Sequence, residues 1–239
     1  MNDGLLSYSI INSKGIAIAT TYTLNDFKTK RPGRPKIDDI RHLCERDGFP
    51  CDKIVTAEQV HSDNVAIIDS KDGGNVPGAD ALITDKSQIP LAIFTADCIA
   101  GFILDTKRPS IGIFHAGWKG TLSNIAGKTI KAMEDAYNVD TKSIYIALSP
   151  SIKVCCYAVN EERARKFIKE GYKENVIRIL GEPHIDLQGI IRKQLIKECI
   201  PSENIYIHPH CTYEMKEGYP SYRRDGEKAS RILNIIMLK

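Results

Sequence analysis

Three short segments of the chain each carry a side chain that binds transition metals well. They read Ala-Glu-Gln-Val-His-Ser around His61, Phe-Thr-Ala-Asp-Cys-Ile around Cys98, and Phe-His-Ala-Gly-Trp-Lys-Gly-Thr around His115. Imidazole nitrogen and thiolate sulfur suit Zn²⁺, and three protein ligands with a fourth position for water are typical of a catalytic zinc site. A His₂Cys set is also the core of a blue-copper site, so Cu²⁺ is an alternative to Zn²⁺. It is the less favoured of the two metals.

Polar residues beside these segments could orient the ligands or contact a substrate. Asp97 and Gln59 are close enough in sequence to Cys98 and His61 to hold them in place. A metal-free alternative also stays open, in which Cys98 is a nucleophile and His115 its base, acting on amide or ester bonds.

The segment from His115 to Thr121 predicts an anion site. It reads as a strand, a turn containing glycine and the start of a helix, and free backbone N–H groups at a helix N-terminus bind phosphate. Lys119 would add a positive charge. The competing interpretation is a tight strand–helix turn with Trp118 packed in the core.

A second group of metal-competent residues lies in His208-Pro-His-Cys211. Adjacent residues of a strand point to opposite faces, so His210 and Cys211 are not expected to share a metal. The same argument makes buried packing the expectation for Cys155-Cys156, and Cys211 is expected to line a pocket near Thr212.

Composition and charge limit the class of protein. The net charge of +3 over 239 residues does not favour nucleic acid as a partner. The first residues lack the basic and apolar regions of a signal peptide, and no apolar run approaches the ~20 residues of a membrane span, which predicts a cytoplasmic protein. Seven cysteines without a C-x-x-C pair predict reduced thiols or metal ligands. The basic run Lys28–Lys36 predicts an exposed loop.

The pattern of apolar residues predicts one domain over residues 1–239, with a mixed α/β architecture. Many strands precede the first long helix, which favours mixed sheets over a doubly wound parallel sheet. The predicted strands are Leu5–Ile11, Ile16–Thr21, Lys53–Thr56, Val65–Asp69, Ala81–Thr84, two within Pro90–Asp105 separated near Asp97-Cys98, Ser110–Phe114, Ser143–Leu148, Val176–Leu180, Asn204–Ile207 and Arg231–Leu238. The predicted helices are Asp38–Gly48, one from Trp118 to about Tyr137, Glu161–Glu170 and Asp186–Cys199.

Read together, these segments resemble the multicopper polyphenol oxidase (laccase-domain) family. The matching motifs are Gln-Val-His-Ser at His61, Gly78-Ala-Asp-Ala-Leu-Ile-Thr84, Thr95-Ala-Asp-Cys98 and His115-Ala-Gly-Trp-Lys-Gly120, in order between Arg41 and Arg231. The resemblance implies an α/β/β/α sandwich, zinc on His61, Cys98 and His115, and a purine nucleoside phosphorylase with adenosine deaminase activity. Lys119 stands where the family pattern usually has Arg, which keeps the charge and loses the bidentate geometry.

The implied reaction assigns roles to further residues. Phosphate attack on the ribose needs cations, for which the candidates are Lys119, Arg41, Arg223 and Arg224, with Gln59 as another substrate contact. The leaving purine needs a proton or a hydrogen bond, for which the candidates are Asp80 and Asp97. The partners would be purine nucleosides and phosphate, and the chain would be a monomer or weak dimer.

Two further functions stay open beside it. The family's older name suggests copper oxidation of phenols, but six histidines with one H-x-H pair are few for several coppers. The second of these functions is a non-catalytic binding role.

Overall fold

A computed structural model describes residues 5–23, 41, 44–69 and 73–239. Its strands, numbered in chain order, are β1 Leu5–Ser7, β2 Ala17–Thr23, β3 Val55–Ala57, β4 Val65–Ile67, β5 Gly74–Val76, β6 Ala81–Thr84, β7 Leu91–Thr95, β8 Ile99–Asp105, β9 Ser110–Ala116, β10 Ile144–Leu148, β11 Val176–Ile179, β12 Glu182–Ile185, β13 Ile205–Ile207 and β14 Ile232–Leu238. Its α-helices are α1 Ser9–Asn12, α2 Trp118–Leu122, α3 Ile125–Tyr137, α4 Glu161–Lys169, α5 Leu187–Lys197 and α6 Tyr222–Asp225.

Two six-stranded sheets organise the described residues. The first has the strand order β1-β2-β14-β7-β3-β5 and the second β13-β10-β8-β9-β6-β4, while β11 and β12 form a separate hairpin. Both large sheets are mixed. In the first, β3 runs parallel to β7 while β14 is antiparallel to β7. In the second, β10 runs parallel to β13 and antiparallel to β8. The prediction of mixed sheets is therefore confirmed.

The two sheets pack face to face because their strands alternate apolar side chains between two faces. On β8, Phe102 and Leu104 share an inner core with Leu91 and Ile93 of β7. Each of these side chains is almost completely buried, and burying one such side chain is worth about 1.5–3 kcal/mol. Ile103 of β8 points the other way, into a second core.

Helices cover the outer face of the second sheet. Ile130 and Met133 of α3 and Ile190 and Leu195 of α5 are buried against it. The outer face of the first sheet packs against the segment 44–54. The layers thus follow the expected α/β/β/α order. No described helix is long and apolar enough to cross a membrane.

Most predicted elements agree with the structure, and two are corrected. The predicted strand Leu5–Ile11 is wrong beyond Ser7, because Asn12 at the end of α1 pairs through its side-chain amide with the backbone N–H and C=O of Ala19. The predicted helix from Trp118 to Tyr137 is two helices, since Asn124 is left-handed (φ 61°) and caps α3 through the Gly127 N–H.

The pattern also missed some elements. Strands β5 and β12 were not predicted, and neither were the four-residue helices α1 and α6. The predicted loop 28–36 lies outside the described residues, as do residues 38–40, 42 and 43 of the predicted helix 38–48, whose described residues 41 and 44–46 are helical.

Candidate functional site

The predicted metal ligands lie where the chain crosses from one sheet to the other. Strand β7 of the first sheet ends at Thr95, and β8 of the second begins at Ile99, so Cys98 lies in the crossing segment. Strand β9 is antiparallel to β8, with His115 opposite Ala100. This register brings Cys98, which precedes β8, beside His115 near the end of β9.

A buried carboxylate, Asp80, holds the third ligand in place. Its side chain, 0% exposed, accepts hydrogen bonds from the backbone N–H groups of Val60, His61 and Ser62 at 3.0, 3.1 and 2.7 Å. The Ser62 hydroxyl donates to it at 2.8 Å. His61 has a positive φ of 60°, a conformation that costs free energy for a non-glycine residue. The Asp80 carboxylate therefore stabilises a strained turn that presents His61.

The three side chains converge on one point. One donor atom from each of His61, Cys98 and His115 lies within 4.8 Å of the other two. The imidazole rings are 4.8 Å apart between centroids and nearly perpendicular, at 77°. Asp80 Oδ1 lies 2.8 Å from His115 Nδ1, and because a carboxylate accepts, Nδ1 carries the proton and Nε2 is left for a metal or for Cys98.

The same geometry sets the charge of the site. Burial acts to raise the pKa of the Cys98 thiol, but charge and hydrogen bonding from His115 and His61 outweigh it and lower the pKa to about 6. Burial acts to lower the pKa of His115, but Cys98 and Asp80 raise it to about 9. The sulfur is therefore held as a thiolate, the form that binds metals.

Gly117 leaves the space that the ligands need. A Cβ at this position would lie 3.0 Å from Cδ2 of His61 and 3.1 Å from Sγ of Cys98. Its φ of −82° and ψ of −173° are open to any residue, so the requirement for glycine is steric. Soft and borderline donors around this cradle fit a thiophilic divalent cation such as Zn²⁺.

Replacing Gly117 with alanine is expected to weaken metal binding by tenfold or more while the fold is retained. The added methyl would press on two ligands at once, and small displacements of ligand geometry cost metal affinity. Competition with a chromophoric chelator measures the affinity. Gly74→Ala is the matched control, because a Cβ there meets nothing within 4 Å; equal affinities in the two variants would contradict the role of the cradle.

The ligands open onto a cavity of about 530 Å³. Its wall includes the aromatic and aliphatic residues Phe94, Trp118, Ile152, Tyr157 and Tyr222 and the cations Arg163, Arg223 and Arg231. Two of the cations lie over rings of the wall, Arg163 over Trp118 and Arg223 over Tyr157. The wall can therefore accept a flat apolar ring and an anion at the same time.

Asp97 and Gln59, two residues singled out from the sequence, also line the cavity and organise its rim. Asp97 has a φ of 82° and accepts hydrogen bonds from the Thr212 and Ser221 hydroxyls and the Arg223 N–H. Gln59 pairs through its amide with both backbone groups of Phe94, at 2.6 and 2.9 Å. Asp80, in contrast, lies behind His115.

Of the four cations predicted to bind the anion, one lines the cavity and three do not. Arg223 lines the cavity, with its guanidinium 5.2 Å from the Tyr157 ring centroid. Arg224 instead donates to the carbonyls of Thr212, Tyr213 and Tyr219. Lys119 is exposed, with its Nζ 5.9 Å from the Trp118 ring centroid. Neither it nor Arg41, which pairs with Glu45 at the surface, is a residue of the cavity wall.

Two cations of the cavity wall were missed by sequence reasoning. Arg163 stacks over Trp118 at 4.5 Å and Arg231 precedes β14. Arg163 stands among charged residues in the first turn of α4, a pattern typical of a solvated face. Tyr157, an aromatic residue of the cavity wall, was not singled out from the sequence either.

This combination of fold and site agrees with the comparison to known families. Residues 36–239 match the family described as multi-copper polyphenol oxidoreductase laccase, and the chain belongs to that family.

Individual relatives give more detail. The chain is 34% identical to a purine nucleoside phosphorylase of Clostridium acetobutylicum, over 84% of this chain and 83% of that protein. It is 31% identical to adenosine deaminase RL5 of an unknown prokaryotic organism, over 80% and 78%. The crystal structure of the Bacillus licheniformis hypothetical protein YfiH superposes with a TM-score of 0.90 at 24% identity, covering 99% of this chain and 97% of that one.

Proposed function

We propose that this chain, acting as one domain, is a zinc-dependent purine nucleoside phosphorylase that also deaminates adenosine. The observation that carries the proposal is the convergence of His61, Cys98 and His115 at a cavity lined by both aromatic and cationic side chains. The names of its relatives support nucleoside chemistry of both kinds.

His61, Cys98 and His115 would hold the zinc. When bound, zinc supplies Lewis-acid chemistry: it can orient an anion, or lower the pKa of a bound water to about 7 for attack on a purine ring. Asp80 fixes the tautomer of His115 so that its Nε2 faces the ligand set. Gly117 keeps the approach between His61 and Cys98 open.

The aromatic and the cationic side chains of the cavity would bind the two substrates of phosphorolysis. The rings of Phe94, Tyr157 and Tyr222 offer stacking surfaces for a purine. The guanidinium groups of Arg163 and Arg223 present fork-shaped donors that match phosphate oxygens. In the reaction a phosphate oxygen bonds to the ribose anomeric carbon, and the C–N bond breaks with its electron pair leaving on the purine.

We propose that Asp80 and Asp97 act as positioning residues in place of the catalytic roles predicted from the sequence. Asp80 already receives donors from three backbone N–H groups, the Ser62 hydroxyl and His115. Asp97 receives three donors, which fasten the segments of Thr212 and Arg223 to the crossing segment of Cys98. Burial acts to raise the pKa of Asp80, but the hydrogen bonds from His115 and Ser62 outweigh it and lower that pKa, which makes Asp80 a poor proton source.

A second candidate function has an observation of its own. The Cys98 thiolate beside His115 is also the arrangement of a nucleophile and its base, which favours a metal-free hydrolase. Copper remains the alternative metal, because the same His₂Cys donors bind it. Metal analysis of the protein as isolated distinguishes the zinc enzyme, the copper enzyme and the metal-free hydrolase: zinc that is lost in Cys98→Ser supports the proposal.

The direct test of the proposed function is an assay with adenosine and inosine, with and without phosphate. Phosphorolysis releases free base and ribose 1-phosphate only when phosphate is present. Deamination converts adenosine to inosine without phosphate. Separation of the products by chromatography distinguishes them, and a zinc-loaded protein that forms neither would overturn the proposal.

Replacing Arg223 with methionine is expected to raise the KM for phosphate by about tenfold to a hundredfold, since a hydrogen bond to a charged group is worth about 1.5–3 kcal/mol. Steady-state rates at varied phosphate give the value, with zinc content as the check on the metal site. Lys119→Met is the matched control, because Lys119 is an exposed cation near the same cavity. A larger effect at Lys119 than at Arg223 would restore the anion site predicted from the sequence.

A further inference from the structure

A second group of metal-competent side chains lies apart from the ligands of the cavity. Cys155, Cys156, Cys211 and Glu214 each offer a donor atom, and these atoms all lie within 4.8 Å of one another. None of the four is a residue of the described cavity wall. The alternation of a strand predicts buried packing for Cys155-Cys156; this is wrong for Cys155, which is exposed, while Cys156 is partly buried and packs against the core.

Local backbone structure brings the two neighbouring thiols to one side. Residues 154–156 form a turn, where the alternation of a strand does not apply. The sulfurs of Cys155 and Cys156 are 3.4 Å apart. Cys211 reaches them because it forms a parallel bridge with Ser151. The backbone N–H of Lys153 donates to Cys211 Sγ at 3.4 Å, which fixes the position of this sulfur beside the turn.

We propose that Cys155, Cys156, Cys211 and Glu214 form a structural zinc site, distinct from the site of His61, Cys98 and His115. A Zn–S bond is about 2.3 Å, so sulfurs around a tetrahedral zinc lie about 3.8 Å apart. The observed 3.4 Å between two sulfurs and the limit of 4.8 Å for the whole set bracket this value. Three thiolates and a carboxylate complete four coordination, as in a closed structural site.

A disulfide explains the cluster less well. Adjacent Cα atoms are about 3.8 Å apart, below the usual 4.4–6.8 Å of a disulfide, so Cys155 and Cys156 would pair only with strain. Pairing either one with Cys211 would leave the third thiol and Glu214 without a role. A cation uses all four donors at once.

The position of the cluster explains what such a zinc would do. Arg223 Nη1 donates to the carbonyl oxygens of Cys156 and Ala158 at 3.4 and 3.0 Å. Thr212, which follows Cys211, donates its hydroxyl to Asp97 at 2.6 Å. A zinc held by the cluster would therefore fasten the segment whose carbonyls accept from Arg223 to the segment in which Thr212 contacts Asp97 at the rim of the cavity.

The test is zinc stoichiometry, measured by plasma mass spectrometry on reduced protein after loading with Zn²⁺ and removal of excess. Two zinc ions per chain are expected in the wild type and one in the Cys155→Ser/Cys156→Ser double variant. Cys199→Ser, an exposed cysteine elsewhere, is the matched control and should retain two. Cys98→Ser should retain one, which separates failure of this site from failure of the proposed function.

A second variant covers the case in which the double variant does not fold. Glu214→Gln changes one exposed ligand. In chelator competition it should lower the affinity for one of the two zinc ions by tenfold or more and leave the affinity for the other unchanged. Substitution with Co²⁺ should add a thiolate-to-metal absorption band that the double variant lacks. Any of three results would overturn the proposal. The first is the wild-type zinc stoichiometry in the double variant, and the second is a single zinc in the wild type that is lost in Cys98→Ser. The third is a disulfide in the freshly reduced protein under air exclusion.

Discussion

Replacing Asp80 with asparagine is expected to lower the free energy of unfolding of the metal-free protein by about 3–5 kcal/mol. This is the usual cost of removing one partner of a buried ion pair. The Asp80 carboxylate is fully buried, and it accepts from the N–H groups of Val60, His61 and Ser62 as well as from His115. An asparagine offers one carbonyl oxygen, and its NH₂ group would face donors. Buried donors left without an acceptor cost about 1–3 kcal/mol each.

The same variant should bind zinc about 10–100-fold more weakly, the usual effect of removing the partner of a ligating histidine. His115 would lose the acceptor at Nδ1, and the turn that presents His61 would lose the carboxylate that stabilises its positive φ. Urea denaturation in the presence of chelator gives the stability, and chelator competition gives the affinity.

Asp63→Asn is the matched control, because Asp63 is partly exposed and pairs with Lys128 at the surface. A surface pair of this kind contributes about 0–1 kcal/mol, so this variant should be close to the wild type in both measurements. Equal stability and zinc affinity in the two variants would show that Asp80 does not organise the ligands.

Replacing Cys98 with serine should remove zinc from the His61–Cys98–His115 site and abolish turnover with it. A neutral hydroxyl is a hard and weak substitute for a thiolate, so we expect zinc affinity to fall by more than the 10–100-fold typical of an outer partner. Excess zinc should restore part of the activity. If Cys98 were a covalent nucleophile, activity would stay lost at every zinc concentration.

Alkylation gives a second test of whether Cys98 is a metal ligand or a nucleophile. Under the ligand assignment zinc shields the Cys98 sulfur, and labelling becomes fast only after chelation, because the free thiolate has a lowered pKa. Peptide mapping resolves Cys98 from the exposed Cys199, which should label equally in both conditions and serves as the control. Rapid labelling of Cys98 in zinc-loaded protein would contradict the ligand assignment.

The sequence by itself determined the family, the class of fold and the three candidate ligands. Taken singly, His61, Cys98 and His115 are weak signals, and the resemblance of the motifs around them to the family made them the candidate ligands. The break of Pro90–Asp105 near Asp97-Cys98 was predicted because this apolar run is too long for one strand. Layer order followed from the family motifs.

Only the tertiary structure decided what the remaining polar residues do. Asp80 and Asp97 look alike in sequence, yet one lies behind His115 and the other fastens segments more than a hundred residues away. Both Arg223 and its neighbour Arg224 donate to backbone carbonyls, yet only Arg223 of the two lines the cavity. Arg163 reaches the cavity by stacking on Trp118 from a helix that reads as solvated. The thiols of Cys155 and Cys156 meet Cys211 because a turn replaces the strand that alternation assumes. The direction in which each of these side chains points depends on contacts between distant segments, and a local sequence pattern does not contain those contacts.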